Sequence, residues 1–302
     1  MRRLRVANEN QLIQVLLNQN GNTTARCTAA RALGYVGSET TMQLLRLAAD
    51  GIPPADGEVL NAIIQAQFNL QKKLQAKTQE RLLARTQRNE VLLGRPDDKR
   101  LLSIVSDVAT PLKKRLAACD VIAGRKLRRA VPALLRVFED GPDLMTWAVA
   151  HALVTMRART AVDSLIEIAR SATRREAKRA AVYTLWFLGD PRAKEVLREI
   201  LRNEAVRDDH LRALAVEALA AVDSSPEGLA LIIAASADRS VEVRYAAVCA
   251  LSLQESKAAV SAVKARVNDR GVLPERGTVG AFARSILATY RQKTGRRQRT
   301  ER

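Results

Sequence analysis

Aromatic side chains are scarce in this 302-residue chain, where Trp, Tyr and Phe together make up 3% of the residues. Proteins that stack single-stranded bases depend on such rings. Their scarcity, and the absence of any ring interleaved with the basic runs, argues against that mode of binding. Cysteine is as sparse, with Cys27, Cys119 and Cys249 far apart and no Cys-x-x-Cys pair. That spacing excludes a disulfide framework and a thiolate zinc site, leaving buried packing thiols in a reducing cytoplasm. His151 and His210 are the only histidines, too few to build a clustered metal site. Neither Gly-x-x-x-x-Gly-Lys nor Gly-x-Gly-x-x-Gly occurs, so no loop cradles a nucleotide phosphate. An apolar run of 18 residues is missing, which argues against a membrane-spanning helix. The stretch Met1–Asn8 is basic without the apolar core of a secretory signal. The expectation is a cytoplasmic chain without metal, cofactor or assignable catalytic residue.

What is abundant is Ala and Leu in a fixed rhythm. Leu33/Leu45, Ile122/Leu134, Leu153/Leu165, Leu185/Leu197, Leu219/Leu231 and Leu251/Val263 are each twelve residues apart. From Ile122 onward the pairs advance by 31, 32, 34 and 32 residues. A period near 32 in such a chain predicts stacked two-helix units, each burying its apolar face against its neighbours. Four residues before the first member stand Ala29, Ala118, Val149, Ala181, Ala215 and Ala247, small enough for close helix approach. Seven residues before it stand Arg26, Arg115, Thr146, Lys178, Arg212 and Arg244. These mostly basic positions are expected to pair with an acid or carbonyl of the adjacent turn, as the Asp209/Arg212 and Asp238/Arg244 spacings suggest.

On these residues the chain resembles the HEAT-repeat family, in particular the short bacterial repeats first noted in bilin lyases. Leu185-Trp186-Phe187-Leu188-Gly189-Asp190-Pro191-Arg192-Ala193 is similar to that family's turn, and Val243-Arg244-Tyr245-Ala246-Ala247 to its first helix. The resemblance covers about two thirds of the chain. It implies an all-α, right-handed α-solenoid of ARM/HEAT type, but such an architecture hosts many unrelated functions. The metal-dependent hydroxylases of this architecture carry His-Glu pairs, and neither His151 nor His210 is followed by Glu.

The formal charge of +18 is unevenly placed. Residues 72–136 carry 17 basic and 6 acidic side chains, and residues 291–302 carry 6 and 1. Residues 137–290, by contrast, balance 21 against 20. The first cationic segment also interrupts the rhythm: 89 residues separate Leu33 from Ile122, close to three repeats, with no second clean unit between them. From Glu58 to Leu93 there is no Gly or Pro. Good helix formers dominate there, predicting one long helix, or two with a break near Thr78, between Pro53-Pro54 and Gly94-Arg95-Pro96. Leu60, Ile63, Ile64, Leu70, Leu74 and Leu82 supply its apolar face.

Along that helix Lys73, Lys77, Arg81 and Arg85 follow at steps of four, with Arg88 three further on. Like charges so spaced repel, unless an anion relieves them. Lys113 and Lys114 open the helix of the Ile122 unit, and Arg125, Lys126, Arg128 and Arg129 crowd the turn after it. Cations at the start of the following helix oppose its dipole, and a bound phosphate would reverse that cost. The expected organisation is a cap and first repeat (1–56), a long basic helical insertion (57–100), a repeat array (101–291) and a disordered basic tail (292–302). The expected function is a non-catalytic scaffold whose cationic residues in 72–136 form one patch for an acidic macromolecule. Nucleic-acid backbone, bound without strong sequence choice, is the first candidate, and an acidic protein the second. Two alternatives remain: a protein adaptor using the neutral central repeats, and an enzyme, either of HEAT-like DNA glycosylase type, for which Trp147, Trp186 and Asp143 are the residues to weigh, or of bilin-lyase type, which rests on the repeat similarity alone.

Overall fold

The computed structural model describes residues 2–18, 21–38, 41–42, 44–45, 48, 57–203, 205–252, 254, 256–274, 277–284 and 286–287. The basic tail and the Pro53-Pro54 boundary lie outside them. No described helix is long and apolar enough to cross a membrane. The chain forms two compact units, Met1–Ala84 and Arg85–Tyr290 among the described residues, divided within one helix.

In the first unit, α1 (Arg2–Leu17) packs against α2 (Thr23–Val36), and α3 (Gly57–Leu92) begins. Asn22 starts α2 by accepting the Thr24 amide at 2.8 Å, which satisfies one of the unpaired donors at a helix start. Leu16, Ala30, Leu33, Leu45, Ile63, Ala66 and Leu70 form its core. A Cβ added at Gly34 would stand 2.8 Å from the Ala66 backbone, so α2 and α3 meet through small residues. Of the expected apolar face of α3, Ile63 and Leu70 are buried, Leu74 and Leu82 are half-buried, and Ile64 is exposed. The Leu60 side chain lies outside the described ones. Helix α3 runs unbroken past Thr78, whose hydroxyl donates to the Leu74 carbonyl within the helix.

The second unit is an array of helix pairs. First helices α5 (Leu112–Arg125), α7 (Asp143–Met156), α9 (Arg175–Leu188), α11 (Asp209–Val222) and α13 (Val241–Leu251) stack side by side. Second helices α6 (Val131–Asp140), α8 (Val162–Ser171), α10 (Lys194–Arg202), α12 (Pro226–Ala235) and α14 (Lys257–Lys264) alternate with them. The alanines of the small position, and Val149, are 0% exposed in every one of these first helices. One pair departs from the rhythm: Leu231 is half-buried while Ile232 is 1% exposed. Leu219 of that pair keeps its register at 0% exposed, so the shift by one arises within the pair, between α11 and α12.

The seven-before positions are structural. The guanidinium of Arg26 donates to the Leu16 carbonyl, that of Arg115 to Val105, the Thr146 hydroxyl to Phe138 and the Lys178 ammonium to Arg170. Each acceptor lies in the last turn of the preceding helix, where carbonyls lack intrahelical partners. Arg212 reaches Asp209 and Asp238, and Arg244 reaches the Asp238 carbonyl and the Asp269 carboxylate.

A further helix pair precedes α5, although the sequence shows no clean unit there. It consists of the end of α3 and α4 (Asp98–Ser106), with Leu93, Leu101 and Val105 buried in the array's core. Four residues before the left-handed turn residue stand Ile122, Leu153 and Leu185 in the regular units, but Glu90 in this one. The keystone apolar residue is replaced by an acid that accepts from Arg125 at 2.8 Å, so the period is interrupted in sequence but not in space. A short antiparallel pair, β1 (Val272–Leu273) and β2 (Gly277–Thr278), and helical residues 279–284 close the array.

Candidate functional site

The expected anion-binding residues divide between the units and by what they touch. In the first unit, the Lys73 ammonium donates to the Tyr35 carbonyl at 2.6 Å and the Gly37 carbonyl at 3.3 Å, where it caps the end of α2. Lys77 and Arg81 are exposed.

In the second unit, Arg85 pairs with Asp120 at 2.7 Å, and the Asn89 amide donates to the same carboxylate. Burial lifts Asp120 above the ordinary carboxylate range, against the opposing pull of Arg85. Arg88 is exposed, as are Lys113 and Lys114 at the start of α5. Arg125 is held by Glu90, by Asp98 and by the Pro96 carbonyl at 3.0 Å, while Arg129 pairs with Asp98. These contacts seat the 94–98 turn on the 125–129 turn. They commit Arg85, Arg125 and Arg129 to structure, whereas Lys126 and Arg128 are exposed without a salt bridge among the described residues.

Sequence spacing missed what the turns themselves do. In four successive pairs the first helices, α3, α5, α7 and α9, close with a left-handed residue, Gly94, Lys126, Arg157 and Gly189, whereas α11 and α13 end at Asp223 and Ser252 with negative φ. In the Lys126 turn the Leu127 amide donates to the Ile122 carbonyl, and in the Arg157 turn the Ala158 amide donates to Leu153. This is the bond that terminates a helix through a left-handed residue, usually glycine. Among the described residues, the only non-glycine positions with positive φ are Arg95 (49°), Lys126 (54°) and Arg157 (50°). All three are cations on these turns, and all are exposed. Arg159, two residues past Arg157, is also exposed and stands near Asp190, whose carboxyl Arg192 and Arg159 hold below its usual range. The next turn joins this row through Arg192, which binds the Asp163 carboxylate at 2.8 Å and the Arg159 carbonyl at 3.2 Å. The αL signal is legible in the sequence at Gly94 and Gly189; nothing in a sequence marks an arginine as left-handed.

The charge balance of residues 137–290 takes physical form as a ladder between repeats. Arg174 pairs with Asp143, Arg170 with Glu199, Arg179 with Asp208, Arg198 with Asp223 and Arg244 with Asp269. Asp143 is therefore engaged by Arg174, and Trp147 donates its indole N–H to Glu176 at 3.0 Å. His210 contacts Glu242 at 2.6 Å from the first turn of α11. His151 is exposed and meets the Tyr183 ring edge-on at 5.5 Å. All three cysteines are free, and burial pushes the Cys119 thiol up to about 12. Among the described residues, no group of His, Cys, Asp and Glu could hold a metal ion.

A family model described as HEAT repeats matches residues 99–186. No curated protein matches the chain. Among solved structures, human deoxyhypusine hydroxylase in complex with glycerol is similar over 96% of this chain and 98% of its own, at 15% identity and a TM-score of 0.38. The complex of CpcE and CpcF of phycocyanin lyase from Nostoc is similar over 93% and 94%, at 14% identity and a TM-score of 0.35. An engineered protein is similar over 94% and 88%, at 16% identity and a TM-score of 0.37.

Proposed function

We propose, from the premise that residues 99–186 belong to the HEAT-repeat family, that this chain is a non-catalytic scaffold holding a polyanion along its interhelix turns. Nucleic-acid backbone is the ligand this reading favours, and the cytoplasm the compartment. The observation that carries it is the row Arg95, Lys126, Arg128 and Arg157, exposed on three successive turns, three of the four in a left-handed backbone. A left-handed residue bearing a Cβ costs about 1–2 kcal/mol. The negative end of the helix dipole returns only about 0.3–1 kcal/mol to a cation placed there. Glycine fills the same place at Gly94 and Gly189, so the strain-free solution is used elsewhere in the array. A cation in that place gains from an anion what it loses in backbone strain.

Packed helices lie about 8–10 Å apart, so three turns offer cations over roughly 20 Å. Duplex carries about one charge per 1.7 Å of axis, enough to meet every one of them. Such contacts position a backbone and read no bases. Neutralising four phosphates gives an expected slope of about −4 in log K against log salt. The test is retention of duplex DNA or RNA by the full chain across a salt series. Lys126→Gln with Arg128→Gln should flatten that slope by about 2, while Arg125→Gln, which is spent on Glu90 and Asp98, should change folding stability more than slope. Absence of retention at about 50 mM salt would refute this reading.

A further inference from the structure

Six of the chain's ten aromatic residues gather in two groups of ring contacts on the first helices and the closing segment. Trp147 on α7 meets Tyr183 on α9 edge-on at 5.4 Å, and Tyr183 and Trp186 each contact Phe187 at 4.7 and 4.9 Å. Tyr245 on α13 stacks on Phe282 at 4.7 Å. Between these groups opens a cavity of about 520 Å³, walled by Trp147, Tyr183, Trp186 and Tyr245 and floored by Ala213 and Leu214 of α11. The volume falls in the range of sites that bury a small ligand or a side chain. The rings are half-buried, so each rests on the helix row and turns part of its surface to the cavity.

The charged groups of the lining are Glu217, Glu242 and His210; neither Lys nor Arg is among the described lining residues. In a chain of net charge +18, a cavity edged by two carboxylates and walled by four aromatic rings is complementary to a cation. Ring faces carry negative potential and attract ammonium and guanidinium groups, and carboxylates beside them supply the counter-charge and the hydrogen-bond acceptors.

We infer that this cavity is a second binding site, which takes an arginine or lysine side chain presented by a basic peptide segment of a partner protein. Phe187, which contacts both Tyr183 and Trp186 of the lining, is 53% exposed and offers an apolar surface beside the inserted cation. The inference is independent of polyanion binding: it uses other residues and a ligand of opposite charge. Together the two sites make the array a bridge between an anionic polymer and a basic protein.

Trp147 and Trp186 are the only tryptophans in the chain, so intrinsic indole fluorescence reports this cavity alone. The experiment titrates full-length chain with the peptide acetyl-(Gly-Arg)4-amide and follows tryptophan emission, with acetyl-(Gly-Glu)4-amide as the charge-reversed probe. The expected result is a saturable change with the arginine peptide and none with the glutamate peptide. Glu217→Gln with Glu242→Gln should weaken the arginine peptide at least tenfold while leaving duplex retention intact. Because removing a carboxylate also releases His210, Tyr245→Leu provides a second variant that keeps both acids and should weaken binding severalfold. No saturable change up to millimolar peptide, an equal response to both peptides, or unaltered affinity in both variants would overturn the assignment.

Discussion

Gly124→Ala is a sign test of the claim that the end of α3 belongs to the repeat array. Gly124 lies in α5, and a helical glycine changed to alanine at an open surface gains about 1 kcal/mol of stability. At Gly124 the surface is closed. An added Cβ would fall within van der Waals radius of the Thr86 hydroxyl and 2.8 Å from its methyl. Thr86 is 6% exposed and β-branched, which leaves it few χ1 rotamers within a helix and little free space to move into. Overpacking of this kind costs about 1–3 kcal/mol. Taking the upper half for a stiff neighbour and subtracting the propensity gain leaves a net loss of about 1–2 kcal/mol. Thr86→Ala should rescue it, since the Thr86 hydroxyl makes no hydrogen bond and its removal relieves a buried orphan of about 1–3 kcal/mol. The assay is urea unfolding of the four species of the double-mutant cycle, followed by circular dichroism, with a coupling energy above about 1 kcal/mol expected. If Gly124→Ala is more stable than the parent, α3 does not pack where the geometry puts it, and the helix pair before α5 dissolves as an interpretation.

Other consequences follow from the same contacts. Arg115→Met should cost about 1–3 kcal/mol by orphaning the Val105 carbonyl, whereas Lys114→Met beside it should change urea midpoints little. Cys119, its thiol pushed up to about 12 by burial, should resist a thiol reagent at pH 8 in the native chain and react once urea exposes it. Asp269, hydrogen-bonded by Arg244, sits below its usual range, as does Asp223, where burial works upward but Ser225 and Arg198 more than offset it. Their folded values lie under the unfolded one, so their stabilisation is complete above about pH 5 and fades as pH falls past the unfolded value and through the depressed ones. Thermal midpoints at about pH 7, 5 and 3 should be similar at the first two and drop at the third. Asp223→Asn should flatten that drop.

Periodicity carried the fold because the same spatial need recurs in every repeat. A first helix must approach its neighbour, so Ala118, Ala181, Ala215 and Ala247 recur. A preceding helix must have its last carbonyls satisfied, so a long donor recurs seven residues before the keystone. Where the structure meets the need differently, the pattern vanishes while the architecture persists, as at Glu90, which replaces a buried aliphatic with an acid bound by Arg125. The candidate site was less legible for a related reason. Counting charges locates Arg125, Lys126, Arg128 and Arg129 together, but only distances separate Arg125 and Arg129, which are spent on Asp98, from their exposed neighbours. The aromatic cavity was invisible because its walls come from α7, α9 and α13, whose rings are 36 to 98 residues apart in the chain.

The left-handed cations bear the heaviest part of the functional argument, and Lys126→Gly with Arg157→Gly isolates it. Replacing either residue removes strain of about 1–2 kcal/mol and loses a helix-end charge worth about 0.3–1 kcal/mol. It also loosens the unfolded chain by about 0.4–1 kcal/mol. These terms nearly cancel, so the double variant should unfold within about 1 kcal/mol of the parent. Polyanion binding has no such compensation. Two contacts leave the row, and the salt slope should fall by about 2, with the same loss for any duplex sequence. Lys126→Asn with Arg157→Asn, which keeps a residue that tolerates positive φ, should behave like the glycine pair in both measurements. A retained slope with unchanged stability would mean that the cations at these turns serve only to end helices. The row would then lose its claim on a ligand, even though the repeats that display it stand unchanged.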